Sequence, residues 1–122
     1  RVLLAEDDTV NQKMTTQLLV KDGHDVEVAE NGREALSALR EQPYDVVLMD
    51  VQMPEMDGLE ATRRIREVWA PDEQPYVIAL TAAVTEEDRR RCKDAGADDF
   101  LSKPLKGEAL TGALPDHRDD PA

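Results

Sequence analysis

The feature that most constrains this chain is an alternation: five short apolar runs of β type, with a segment of helical character between each and the next. The runs are Val2 to Ala5, Val26 to Ala29, Val46 to Met49, Val77 to Leu80, and Phe100 with Leu101. Thr9 with Gln12 reads as a capping box opening a first helix, which places Val10, Met14 and Leu18 on one face and stops at Gly23. Asn31 with Glu34 opens a second helix in the same way, turning Ala35, Leu36 and Leu39 inward before Pro43 ends it. The third runs from about Gly58 to Trp69 with a stripe of Ala61, Ile65 and Val68. A fourth, from near Thr85 to Gly96, is so heavily charged that only Val84, Cys92 and Ala95 read as core-facing. A last segment after Pro104 carries Leu105, Leu110 and Leu114, but Gly107 and Gly112 weaken it as a helix.

Strand and helix in strict alternation, with middle strands apolar along their length, predict a parallel sheet covered on both faces. With five strands the expected architecture is the flavodoxin-like (βα)5 doubly wound sheet, strand order 2-1-3-4-5. The chain has 122 residues, room for one domain with one core. We expect that domain to fill residues 1–114, with Pro115 to Ala122 as a polar tail or linker. The start at Arg1, without Met and directly in a strand-like run, is expected of a piece of a longer protein.

In sheets of this kind ligands bind beyond the carboxyl ends of the strands, where the strand order reverses, here between the first strand and the third. The first strand runs into Glu6, Asp7 and Asp8, and the third into Asp50. Carboxylates converging there repel one another unless a cation compensates, which points to a hard divalent ion held by oxygen. Mg²⁺ is the expected ion, since neither His nor Cys is on offer at these strand ends. The fourth strand ends at Thr81, a hydroxyl, and the fifth runs into Lys103, an ammonium. Carboxylates, metal, hydroxyl and ammonium around one point form a set suited to phosphoryl transfer, whose developing charge needs metal and cation together.

Each residue alone has a plainer reading. Asp8 serves equally as a cap for the first helix. Thr81 alone is a turn residue, and Lys103 alone a solvated charge. Asp50 is harder to dismiss, because a carboxylate directly after Val46, Val47, Leu48 and Met49 in a buried sheet is costly unless used. Joint placement on four strand ends favours function. The run Arg89, Arg90, Arg91 is most simply a solvated face, Cys92 a small packing residue, and Trp69 and the methionines fillers of core or surface gaps. His24 and His117 carry no expected role.

Charge narrows the partners. Fifteen Lys and Arg against 27 Asp and Glu give a formal net charge of −12, which repels nucleic acid and anionic membrane surfaces. One cysteine forbids an internal disulfide and suits a reducing compartment, so cytoplasm is the expected setting. The apolar runs are far too short to span a membrane, so no membrane contact is expected of this domain.

Four motifs stand in order: Leu3-Leu4-Ala5-Glu6-Asp7, then Leu48-Met49-Asp50-Val51-Gln52-Met53-Pro54-Glu55-Met56-Asp57-Gly58, then Ala79-Leu80-Thr81-Ala82, and Leu101-Ser102-Lys103-Pro104. Together they resemble the response-regulator receiver domains of two-component signalling, over nearly the whole chain. Ala5-Glu6-Asp7 followed by Val10-Asn11-Gln12 is most similar to receivers fused to hybrid sensor histidine kinases. The resemblance implies that Asp50 is the phosphorylated nucleophile and Asp7 a direct Mg²⁺ ligand, with Glu6 acting on the ion through water and the Gln52 backbone carbonyl completing the protein's share. It implies that Lys103, the Thr81 hydroxyl and the Ala82 amide hold the phosphoryl group, and that Phe100 is the switching aromatic. The implied partners are a histidine kinase, a His phosphotransfer protein or both, with a weak homodimer left open and the parent chain membrane-anchored in some arrangements. Two departures are Glu6, where many members carry Asp, and the weak last helix.

An enzyme reading competes: a Mg²⁺-dependent phosphatase or phosphotransferase that also forms an aspartyl phosphate, as in haloacid-dehalogenase-like proteins. Those resemble one another in an Asp-x-Asp start after the first strand, whereas the candidate nucleophile here follows the third and no cap domain has room. A flavin-binding module of the same topology is disfavoured by acids where its phosphate loop would be. No Gly-x-Gly-x-x-Gly or P-loop is present.

Overall fold

The computed structural model describes residues 1–51, 53, 56–81 and 85–102. In chain order the elements are β1 (Val2–Ala5), α1 (Thr9–Lys21), β2 (Val26–Ala29), α2 (Gly32–Glu41), β3 (Val46–Asp50), α3 (Gly58–Val68), a 3₁₀ turn (Pro71–Glu73), β4 (Tyr76–Thr81), α4 (Glu86–Ala95) and β5 (Asp99–Ser102). The strands form one parallel sheet in the order β2-β1-β3-β4-β5. This is the flavodoxin-like order predicted from the alternation. The last segment after Pro104, and Val84, lie outside the described residues.

Side chains alternate across the sheet and build a core on each face. On one face Leu3, Ala5, Val47, Met49 and Val77 pack against Ala35, Leu36 and Leu39 of α2 and Ala61 and Ile65 of α3. On the other, Val2, Leu4, Leu48, Ile78 and Leu80 pack with Leu19 of α1. A third group, Leu59, Ala79, Cys92 and Ala95, seats α4. Central strands β1 and β3 are buried at every residue, as their unbroken apolar runs require.

Side-chain caps set the helix starts. Asn31 accepts from the Glu34 amide at 2.8 Å while the Glu34 carboxylate accepts from the Glu30 amide at 3.1 Å. Asp57 accepts from Glu60 N at 2.8 Å and Thr85 from Asp88 N at 3.1 Å. Helix α4 ends at Gly96, whose φ of +104° is the left-handed geometry that glycine adopts at least cost. The expected anchors of α4, Cys92 and Ala95, are its two buried residues.

Three expectations of the sequence are corrected. The cap of α1 is Asp8, one residue before Thr9: its carboxylate accepts from Val10 N at 3.0 Å and from Asn11 Nδ2 at 3.1 Å. Val10 and Met14 are exposed, because the inward stripe of α1 runs through Thr15 and Leu19, four residues apart, with Leu18 half-buried beside them. Val68 is 63% exposed, and Trp69, four residues after Ile65, continues the α3 stripe in its place.

Candidate metal and phosphoacceptor site

The strand register assembles the site. Ala5 pairs with Met49 and Asp50 with Leu80, so Glu6 and Asp50 sit side by side at the carboxyl ends of β1 and β3, and Thr81 stands one residue further on β4. Glu6, Asp50 and Thr81 are buried, at 1%, 2% and 8% exposure, while Asp7 is exposed. Carboxylates taken so far out of water need compensating partners. The Asp8 amide donates to Glu6 Oε2 at 3.3 Å. Gln12 Nε2 donates to the Glu6 backbone carbonyl at 2.5 Å, fixing the turn from which Asp7 projects.

One carboxylate oxygen from each of Glu6, Asp7 and Asp50 lies within 4.8 Å of the others. Three hard anionic donors so placed fit a small divalent cation, which lowers their mutual repulsion and favours oxygen ligands. The cluster opens into a cleft of about 680 Å³ whose described lining includes Asn11, Met53, Asp57, Thr81, Asp88 and Arg91. Sequence reasoning did not place Asn11, Asp57, Asp88 or Arg91 there. Asn11 and Asp57 belong to the quoted motifs, but Asn11 in the first turn of α1 and Asp57 as the cap of α3 gave no signal of facing the cleft. Arg91, part of the expected solvated face, is exposed, yet it stands at the rim of the acid site.

Gly58 is what lets the start of α3 approach the Asp50 backbone. A β-carbon added there would overlap the Asp50 carbonyl oxygen and stand 2.8 Å from the Met49 Cγ. Gly58 N donates to the Val51 carbonyl at 3.1 Å, and Val51 N to the Leu80 carbonyl at 2.9 Å, tying the loop after Asp50 to both its helix and the next strand. Phe100 is half-buried on β5 against the α4 cluster. Of the residues expected at the site, Glu6, Asp7, Asp50 and Thr81 are brought together, and Asp8 serves as the cap of α1 at the edge of the same cleft. Gln52, Ala82 and Lys103 lie outside the described residues.

Comparisons with known proteins agree with this arrangement. Hybrid signal transduction histidine kinase B of Dictyostelium discoideum is 41% identical over 116 residues, covering 87% of this chain; the chain spans 6% of that kinase's length. The receiver domain of sensor histidine kinase PA1611 from Pseudomonas aeruginosa, solved with magnesium coordinated in its active-site cleft, superposes with a TM-score of 0.82 at 39% identity, covering 91% of this chain and 90% of that one. The receiver domain of Ssk1 from Saccharomyces cerevisiae, in complex with the histidine phosphotransfer protein Ypd1, superposes at 0.84 with 30% identity and coverage of 90% and 82%. The family model for the response regulator receiver domain matches residues 2–115, and with this acid cluster at the switch point of a 2-1-3-4-5 sheet the chain belongs to that family.

Proposed function

We propose that this domain is the phosphoacceptor of a phosphorelay in which Asp50 takes a phosphoryl group from a phosphohistidine. The carrying observation is the grouping of Glu6, Asp7 and Asp50 within 4.8 Å, beside Thr81 on the adjoining strand. An Asp50 carboxylate oxygen attacks phosphorus, the bond from phosphorus to the imidazole nitrogen breaks, and its electron pair stays on the imidazole, which is then protonated. Asp7, Asp50 and the Gln52 backbone carbonyl would hold Mg²⁺, with Glu6 acting through water; the ion supplies charge neutralisation for the phosphoryl oxygens when bound. The Thr81 hydroxyl, the Ala82 amide and the Lys103 ammonium would receive those oxygens, and burial of Asp50 limits the water that reaches its acyl phosphate.

The donor is proposed to be a histidine kinase or a His phosphotransfer protein. Support comes from the relatives that the chain matches and from the neighbour solved with Ypd1. The domain is proposed to occupy residues 1–114, with 115–122 as a tail. Among the described residues no helix is long and apolar enough to cross a membrane. Phosphorylation adds nearly two negative charges beside Thr81, which draws its hydroxyl toward the new oxygens and opens room for Phe100 to turn inward, altering the α4–β5 surface.

Acetyl phosphate with Mg²⁺, followed by intact-mass analysis, tests this reading. One phosphoryl group per chain is expected, and none on Asp50→Asn. Label retained by the mutant overturns the assignment of Asp50. Many donor molecules consumed per chain within the lifetime of the adduct marks a phosphatase instead.

A further inference from the structure

The parallel register places Phe100 beside Ala79 and Ser102 beside Thr81. Residues two apart on a strand face the same side, so Thr81, Ala79 and Phe100 share the sheet face that α4 covers. Ala79, the strand neighbour of Phe100, presents only a methyl group beside the ring. On the outer side of the ring stands Arg89: its guanidinium carbon is 5.0 Å from the Phe100 centroid. A planar cation over an aromatic face is attracted by the ring's quadrupole, and at an exposed site this biases a two-state equilibrium about 2- to 5-fold.

Other features sharpen the significance of that contact. Helix α4 buries only Cys92 and Ala95, so its anchoring to the sheet is sparse and a surface tie to β5 adds to it. The Phe100 amide donates to its neighbour's Asp99 Oδ1 at 2.8 Å, which pins the backbone on which the ring turns. The ring and Arg89 both line a groove of about 600 Å³ between α4 and β5, so the ring has open volume on the outside and Ala79 on the inside. Arg89 meets the ring on this outer, groove side, where the ring stands before any room opens beneath it.

We infer that Arg89 is a latch on Phe100: the guanidinium holds the ring at the α4 surface in the unmodified domain and so sets how much of the switched state exists before Asp50 is phosphorylated. This rests on the proposal that Phe100 turns inward on modification of Asp50. Arg89 is thus a positioning residue that acts through Phe100, and the arginine run of α4 has a role in setting the resting state.

Phe100 is the chain's single phenylalanine, so ¹³C-phenylalanine labelling gives one ring probe. Its resonance is recorded with and without Mg²⁺ and beryllofluoride in wild type, Arg89→Met and Arg89→Lys. The methionine variant keeps length and an apolar stem but removes the cation. Its free-state resonance is expected to move along the line joining the wild-type free and beryllofluoride positions, corresponding to a 2- to 5-fold change in the ratio of states. Arg89→Lys, which retains a cation, is expected to lie nearer wild type. At saturating acetyl phosphate the stoichiometry should stay at one phosphoryl group per chain in all three, since none of them alters the acceptor. A wild-type ring that responds to beryllofluoride while Arg89→Met shows an unshifted free state overturns the latch alone. A wild-type ring that ignores beryllofluoride overturns the Phe100 switch, and the latch with it.

Discussion

Gly58 and the Asp50 backbone are in such close approach that no side chain fits between them: a β-carbon on Gly58 would coincide with space held by the Asp50 carbonyl oxygen and lie 2.8 Å from its carbonyl carbon. The first turn of α3 therefore rests directly on the residue proposed to be phosphorylated. Thr62 Oγ1 donates to the Gly58 carbonyl at 2.7 Å and locks that turn from within the helix.

Gly58→Ala is accordingly expected to destabilise the domain by about 1–3 kcal/mol or more, since the overlap is with backbone and not with the flexible end of a side chain. At a temperature where the variant remains folded, its rate of labelling by acetyl phosphate should also fall, because Asp50 is displaced. Urea denaturation and intact-mass kinetics check the two effects. Full stability with a normal labelling rate contradicts the packing seen here.

Mg²⁺ binding should report on the acid cluster without any phosphodonor. A ligand that binds only the folded state stabilises it by about 1.4 kcal/mol at ten times its dissociation constant. Wild type should show a Tm that climbs with Mg²⁺ and returns on adding EDTA. Asp7→Asn removes an exposed carboxylate from the cluster and should lose most of that dependence with little change in metal-free stability. An undiminished Mg²⁺ response in Asp7→Asn removes that side chain from the ligand set.

Thr81→Ala is expected to accept phosphate at Asp50 and yet to lose most of the change that phosphorylation imposes around Phe100 and residues 85–95. Thr81 is buried at the end of β4 and its hydroxyl is the proposed link between the phosphoryl group and the β5 face. Amide chemical shifts with and without beryllofluoride measure it. A coupling of about 1–3 kcal/mol corresponds to a 5- to 150-fold effect on partner affinity, so the loss should also be visible in binding to any phosphorylation-dependent partner.

Alkaline pH should weaken the fold through Cys92. Burial, and next the Asp88 carboxylate, push its thiol above the usual 9.0, with Arg91 opposing. The unfolded chain releases the thiol proton as pH passes about 9, while the folded chain still holds it. The contribution is thus whole below that point and is lost as pH rises toward and through the higher folded value. Tyr76 adds to the same trend at higher pH, because burial first, then Asp99 and Asp98, raise its hydroxyl above 10.0. Cys92→Ala should show a shallower loss of stability between about pH 8 and pH 10 than wild type, with the Tyr76 share remaining. Equal slopes in the two proteins exclude the thiol as the cause.

The sequence by itself determined the order and type of the elements and hence the topology. Runs such as Val46 to Met49, apolar without alternation, have no stable place except inside a doubly covered parallel sheet, and the connecting helices announce themselves by Asn31, Thr85 and Gly96 at their ends. Glu6, Asp7, Asp50 and Thr81 were legible for the same reason: a residue that ends a strand in a sheet of known order has its position fixed by that order. What only the tertiary structure decided is which side of a helix looks inward and which neighbours crowd a loop. In α1 the pattern allowed Val10 and Met14 as anchors, but Thr15 and Leu19 are buried, because the sheet and not the helix chooses the stripe. Close approach of Gly58 to Asp50, Arg91 at the cleft, and Arg89 over Phe100 are contacts between residues far apart or on different elements. Periodicity describes one element at a time, so distances between elements come only from packing them together.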